Sequence, residues 1–238
     1  MPNWSLNKHA VKGKTEDILA FINLAIENSA KAVKEYGKGV EPTFTKQDNI
    51  EDAMNALKQC VTPYNNFRYG DEKCAEGYQP ILLNNVYMST FLPVPDTFLR
   101  YDTTNDAKLY EKQAKLQKQK YGVVGWYEYN KEHFSCKWDC KVEDIEQHTE
   151  NDITTITFTT RTPWHLPDKW CRTLQEMFPK LTFFISAEEE MGYYLFFKNY
   201  KDGEEHDYLD ESRNNEENSW NNAIDKMNQD FIDYVNNF

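Results

Sequence analysis

The chain is short of positive charge. Its 238 residues hold 27 Lys and Arg against 39 Asp and Glu, a formal net charge of -12. General nucleic-acid binding depends on Lys and Arg displacing counterions from phosphates, so that class is disfavoured. Long apolar runs are missing too. None approaches the roughly 20 residues that a membrane-crossing helix needs. The opening residues show no basic stretch followed by an apolar one, the mark of a secretory leader. Cysteine is sparse: five residues, an odd count at irregular spacing, make no disulfide framework and point to reduced thiols in a cytoplasm. Glycine is sparse as well, nine in all, and there is neither a phosphate-binding loop nor a dinucleotide fingerprint. His-Glu-x-x-His and Gly-x-Ser-x-Gly are absent.

What is present in quantity is aromatic. Aromatics are 15% of a chain that is 28% charged. The length suits one enlarged domain or two small ones around a real core. The acid surplus serves solubility first and a basic partner second. A third use is charge mimicry, in which an acidic protein fills a site meant for DNA or RNA.

Weak alternation predicts a strand over Trp4–Val11, ended by Gly13. Thr15 is placed to cap a helix from Glu16 to about Tyr36. Glu16 and Asp17 favour its first turn, and Ile18, Ile22, Ala25, Ile26, Ser29 and Val33 share one face. Asp48–Glu51 resembles a capping box before a helix over Asn49 to about Cys60, burying Ile50, Met54 and Leu57. Residues 62–80 are turn-rich. Ile81–Phe91 reads as partly extended, and Leu92-Pro-Val-Pro95 fits neither an internal strand nor a helix interior. Thr103–Tyr121 predicts an exposed helix with a thin stripe at Ala107, Tyr110, Ala114 and Leu116. Residues 38–120 therefore read as an insertion.

Tyr121–Asp202 carries the clearest pattern. Phe134, Cys136, Trp138, Cys140 and Val142 alternate with Lys137, Asp139 and Lys141, predicting a strand over His133–Glu143. Asp152–Arg161 is a second strand. Pro167 opens a helix with Trp170, Cys171, Leu174, Met177 and Phe178 on one face. Leu181–Ala187 reads as a central strand, with a hairpin through Met191-Gly192 to Tyr193–Tyr200. Glu204–Ser219 reads as a solvated acidic linker. Trp220, Ala223, Ile224, Met227, Phe231 and Val235 then stripe a last helix. The order gives an α+β fold. It is a ferredoxin-like βαββαβ antiparallel sheet with helices on one face, a large mainly helical insertion and a C-terminal helix. Residues 1–37 and 121–203 are its two halves, 38–120 the insertion, and 204–238 the acidic linker and amphipathic helix.

His133, Cys136 and Cys140 have a spacing that invites a metal. On a strand, residues four apart lie about 13 Å apart, against about 2.0–2.3 Å from zinc to a ligand. Cys136 and Cys140 are read instead as small buried residues. Cys171, with His165 six residues away, is the nearest approach to a nucleophile and base. Glu188, Glu189 and Glu190 read first as a charged hairpin tip and second as a divalent-ion or acid–base cluster. Phe158, Phe183, Phe184, Tyr193 and Phe196 raise the idea of an RNA-stacking sheet, which the charge opposes.

Several short motifs occur in an order that resembles the YubB-type ferredoxin-like domain family of phages, plasmids and other mobile elements. They are Met1-Pro-Asn-Trp4 with Asn7 and Gly13, Leu92-Pro-Val-Pro95, Trp126-Tyr127, Lys137-Trp-Asp139, Thr162-Pro-Trp164 with Pro167, Phe178-Pro179, and Glu189 through Gly192. The resemblance covers roughly half the chain. It implies the fold and a mobile-element context, and no catalytic activity.

The expectation is a non-enzymatic, acidic, cytoplasmic accessory protein of a phage or mobile element. It would bind a host or element-encoded macromolecule, with charge-mimicking counter-defence as one form. Two alternatives stand beside it. One is a small-ligand, nucleotide or RNA-binding protein using Trp4, Trp138 and Trp164. The other is a metal-dependent hydrolase or nuclease using Asp139 and the three glutamates. The candidate contact residues are Trp4, Asn7, Lys137, Trp138, Asp139, Trp164, His165, Glu188, Glu189 and Glu190. No catalytic residue, metal ligand or cofactor is assigned, and no membrane association is expected.

Overall fold

A computed structural model describes residues 3–37, 45–64, 80–96, 98, 107–211 and 217–237. Its first elements are β1 (Trp4–Lys14), α1 (Thr15–Tyr36), α2 (Ile50–Leu57), β2 (Thr62–Tyr64), β3 (Ile81–Leu83), α3 (Met88–Phe91) and α4 (Ala107–Tyr121). There follow α5 (Trp126–His133), β4 (Val142–Glu150), β5 (Ile153–Pro163), α6 (Asp168–Met177), β6 (Thr182–Glu189), β7 (Leu195–Lys201), β8 (Glu204–Glu211) and α7 (Glu217–Asn237). The main sheet runs β4-β5-β1-β6-β7-β8, with every neighbouring pair antiparallel. β2 and β3 form a separate small sheet. Among the described residues no helix is long and apolar enough to cross a membrane.

Side chains alternate across a strand, so each residue of β1 commits to one face. Val11 joins Ile156, Phe158, Phe183, Ile185 and Tyr200 under α1 and α6. Ala10 joins Phe184, Leu195 and Phe197 under Met227, Phe231 and Val235 of α7. Helices thus cover both faces. α1 and α6 lie on the expected one, and the C-terminal helix takes the other. Burying a large apolar side chain is worth about 1.5–3 kcal/mol. α7 presents three of them, which accounts for its docking. The Trp220 side chain lies outside the described set.

The segment between α1 and α4 shares the main core. Met54, Leu57, Met88 and Phe91 are buried in it. Phe91 stacks on Phe21 at 4.8 Å and meets Trp170 at 6.1 Å. The Trp170 indole N–H donates to the Met88 carbonyl at 3.0 Å. Gly13 allows the end of β1 to approach β6: a Cβ there would lie 2.4 Å from Leu181 Cδ2.

Several expectations need correction. His133–Glu143 is not a strand. Helix α5 runs to His133, a bend carries Ser135 at φ 61, and β4 begins only at Val142. The apparent alternation comes from a tight turn in which the Cys136 and Cys140 thiols both donate to the Trp138 carbonyl at 3.3 Å. Glu204–Glu211 is a strand, not a linker. It pairs with β7, where Lys198 meets Glu205 at 2.6 Å and Asp207 at 3.1 Å. An edge strand with charged cross-strand partners needs no apolar period. The α2 cap is Asn49, whose side chain accepts from the Asp52 N–H, and not Asp48. Lys14, not Thr15, precedes α1, and the Thr15 hydroxyl meets that of Thr154 at 3.0 Å. Among the described side chains of α4 the buried one is Gln117, while Leu116 is 50% exposed and Ala107 and Tyr110 lie outside that set. Met177 is 46% exposed, outside the α6 face. Met1 and Pro2, the turn-rich residues 65–79 with Cys74, residues 103–106 and residues 212–216 lie outside the described residues.

Candidate functional site

Three chain segments meet at one end of the sheet. Trp4 opens β1, opposite Pro163 at the end of β5. Trp164 follows, its N–H donating to the Asn3 carbonyl at 2.9 Å. Trp138 lies in the turn before β4. Its ring centroid is 5.9 Å from that of Trp4 and 6.2 Å from that of Trp164, tilted about the same amount from each. Trp164 adopts φ 64, a left-handed conformation that costs a non-glycine residue about 1–2 kcal/mol. The Thr162 hydroxyl helps to hold it by donating to the His165 carbonyl at 2.6 Å.

The Lys137 ammonium lies among these rings. It is 5.1 Å from the Trp138 centroid, 5.3 Å from Trp164 and 5.4 Å from Tyr127. Lys131 approaches Tyr127 from one turn along α5, at 5.3 Å. Each such contact is worth about 0.5–1 kcal/mol at an exposed site, so three rings fix the Lys137 ammonium in place. Neither lysine pairs with a carboxylate among the described residues. The rings are accessible: Trp4 is 36% exposed, Trp164 41% and Tyr127 36%.

Of the ten candidates, Trp4, Lys137, Trp138 and Trp164 therefore converge, and exposed His165 adjoins them. Glu190 adjoins Trp4 through its N–H, which donates to the Trp4 carbonyl at 2.9 Å. Glu188 is half-buried on β6, opposite Leu6. Lys131 was not among the sequence candidates, and Tyr127 stood only in the Trp126-Tyr127 motif. Their spacing of four on a helix was the available signal.

Asp139, Asn7 and Glu189 are already committed elsewhere. The Asp139 carboxylate accepts the Ser89 N–H at 3.0 Å and the Ser89 hydroxyl at 2.5 Å, anchoring α3. Burial pushes its pKa from 3.8 up to about 6, against the pull of those hydrogen bonds. A cavity of about 30 Å³ beside Ser89, Thr90, Asn28 and Ser29 has room for about one water and not for a substrate. Glu189 is buried and its Oε2 accepts from Met191 and Tyr193, at 2.9 and 3.0 Å, closing the turn at Gly192.

Asn7 belongs to a buried polar seam. The Ser5 hydroxyl donates to Asn7 Oδ1 at 2.9 Å, and Asn7 Nδ2 donates to Thr162 Oγ1 at 2.9 Å and Thr160 Oγ1 at 3.1 Å. His9 Nε2 lies 2.9 Å from the same Thr160 hydroxyl, and His9 Nδ1 lies 3.9 Å from Cys171 Sγ. The outline is that of a nucleophile, base and orienting group. Its electrostatics are the opposite. Burial lowers the His9 pKa to about 3 and raises that of Cys171 well above normal, so both are neutral near pH 7. Phe158 stacks on His9 at 4.7 Å and Trp170 meets it edge-on at 5.8 Å, closing the seam off. The base near Cys171 is thus His9 and not His165. The two were invisible as a pair because 162 positions separate them.

Among the described residues no group of three or more His, Cys, Asp or Glu could hold a metal ion. The turn between Cys136 and Cys140 does not make one, and Asp139 and the three glutamates do not gather into one. Of the five rings considered for RNA stacking, three are covered by helices, while Tyr193 is 67% exposed and Phe196 partly buried. Phe158 and Phe183 lie under α1 and α6, and Phe184 lies under α7.

No family model matches the chain, and no curated protein matches it. Among solved structures it is similar to the crystal structure of a protein api92 from Yersinia pseudotuberculosis, of the family model DUF1281. The TM-score is 0.38 at 10% identity, over 91% of this chain and 99% of that one. A likeness at that level carries no weight for function.

Proposed function

We propose that this chain is a non-enzymatic binding protein of ferredoxin-like build, whose partner seats on the tryptophan–lysine end of the sheet. The observation that carries this is the convergence of Trp4, Trp138, Trp164 and Lys137, with ring surface exposed. Aromatic surface with a few placed polar groups is the usual make-up of a recognition site. The order β4-β5-β1-β6, with α1 after β1 and α6 between β5 and β6, fits the ferredoxin-like arrangement. β7, β8 and α7 then extend it. The role of accessory protein in a phage or mobile element, acting on a host or element-encoded macromolecule, rests on the motif resemblance and the acid surplus.

One observation favours charge mimicry as a second reading. Exposed acids line both sheet edges: Asp144, Glu146 and Glu150 on β4, and Glu204 and Asp207 on β8. The two readings separate in one experiment. The immobilised chain and its Trp4→Ala/Trp164→Gly variant are exposed to host lysate at low and high salt. The first reading expects a partner retained by the parent chain and lost by the variant. Charge mimicry expects a partner that both retain and that salt releases. The same capture by both at high salt would sink both readings.

A further inference from the structure

We propose that the tryptophan–lysine end binds a nucleoside phosphate, with the base against the exposed rings of Trp164 and Trp4 and the phosphate at Lys137 and Lys131. The inference rests on that end being the recognition surface and adds the chemical class of its ligand.

The polar groups of the site decide the class. They are two ammoniums without carboxylate partners among the described residues, in a chain with twelve more acids than bases. A cationic ligand such as a quaternary ammonium is disfavoured, because the Lys137 and Lys131 ammoniums beside the rings would repel it. A neutral sugar also stacks on tryptophan, but its hydroxyls call for carboxylates and amides around the ring, and here the neighbours are lysines. An anion with a flat aromatic part uses everything present. Base–aromatic stacking is tolerant of base identity because every base has a π-face. Lys137, pinned by three rings, presents its donors without the entropy of a free lysine chain. Both ammoniums approach the Tyr127 ring, at 5.3 and 5.4 Å from its centroid, which keeps them near the rings. Glu190 adjoins Trp4, so the phosphate belongs at the opposite, Trp164 side of the cluster. The chain's net charge and its acidic sheet edges repel a long polyanion, so the ligand is one nucleotide or the end of a single strand.

The test uses tryptophan fluorescence and calorimetry on the full chain. The probes are adenosine 5′-monophosphate, adenosine, ribose 5-phosphate and a short oligothymidylate. Adenosine 5′-monophosphate should quench saturably, with adenosine and ribose 5-phosphate each about tenfold weaker or more. Lys137→Gln should weaken the nucleotide about tenfold while leaving adenosine unchanged. Trp164→Gly is the second variant: glycine accepts φ 64 freely, so the ring goes without a backbone penalty, and both the nucleotide and adenosine should weaken. Tighter binding of the oligothymidylate than of the monophosphate assigns a strand end, and equal or weaker binding assigns the free nucleotide. No saturable binding of either, or nucleotide binding indifferent to Lys137→Gln, overturns the proposal. If lysate capture still depends on Trp4 and Trp164 in that case, only the ligand class has failed. If it does not, the surface itself was misassigned.

Discussion

Asp139→Asn tests how the fold treats a desolvated carboxylate. The folded pKa is raised from 3.8 to about 6, so the native state prefers the protonated form. The stability this contributes is fully present below about pH 4 and is lost as pH rises through about 6. A shift of about two units, at about 1.4 kcal/mol each, sets an upper bound of about 3 kcal/mol. The residue is half-buried, so solvent screening brings the figure to about 1–2 kcal/mol. Asparagine mimics the protonated acid. Its Oδ1 accepts the Ser89 N–H and its Nδ2 donates to the Ser89 hydroxyl, in the places the carboxylate oxygens now hold. Urea denaturation at pH 4.5, 6 and 7.5 on both proteins gives the difference directly, and groups common to both cancel. The variant should exceed the parent by about a third of the full difference, about 0.5 kcal/mol, at pH 4.5 and by about 1–2 kcal/mol at pH 7.5. A variant that is less stable at pH 7.5, or a difference that does not change with pH, would refute the reasoning. The carboxylate would then be a net-favourable anchor for α3.

Gly13→Ala should destabilise by about 1–3 kcal/mol in the same assay, because the new Cβ would lie 2.4 Å from Leu181 Cδ2 and displace that buried side chain. In a Cys74→Ser background the native protein should resist an exposed-thiol reagent, since Cys60, Cys136, Cys140 and Cys171 are all buried; rapid labelling of Cys171 would mean the seam opens. The His9 imidazole should show no titration by NMR between pH 5 and 8, as its pKa of about 3 requires. Phe231→Ala should cost about 3–4 kcal/mol and expose Phe197, which its ring meets at 5.8 Å; dye binding to the uncovered sheet face reports the loss.

Regular elements were legible where one period ran unbroken. Ile18, Ile22, Ile26 and Val33 announced α1, and Met227, Phe231 and Val235 announced α7. β6 was readable as a central strand because it is apolar on both faces. The buried face of β1 was not, because Ser5, Asn7 and His9 look like a solvent face until Thr160 and Thr162 arrive from β5 to bond them. The strand over His133–Glu143 failed because a turn can also bury Phe134, Cys136 and Cys140. Half of the site was within reach. Trp4 and Trp164 flank strand ends that pair, which places them together, whereas Lys131 and Tyr127 needed the packing of α5 against that end.

The position of β1 has a consequence for the order of synthesis. It is made well before both of its neighbours, β5 and β6, which come from the last third or so of the residues described. At about 5–20 residues per second, β1 waits roughly seven to thirty seconds for the strand that will lie beside it. During that wait the apolar face of α1 has no sheet to cover. β1 thus stays without its β5 partner until residue 163 or so has left the ribosome. A ribosome stalled before that point would present an unpaired strand and a helix with no sheet beneath it.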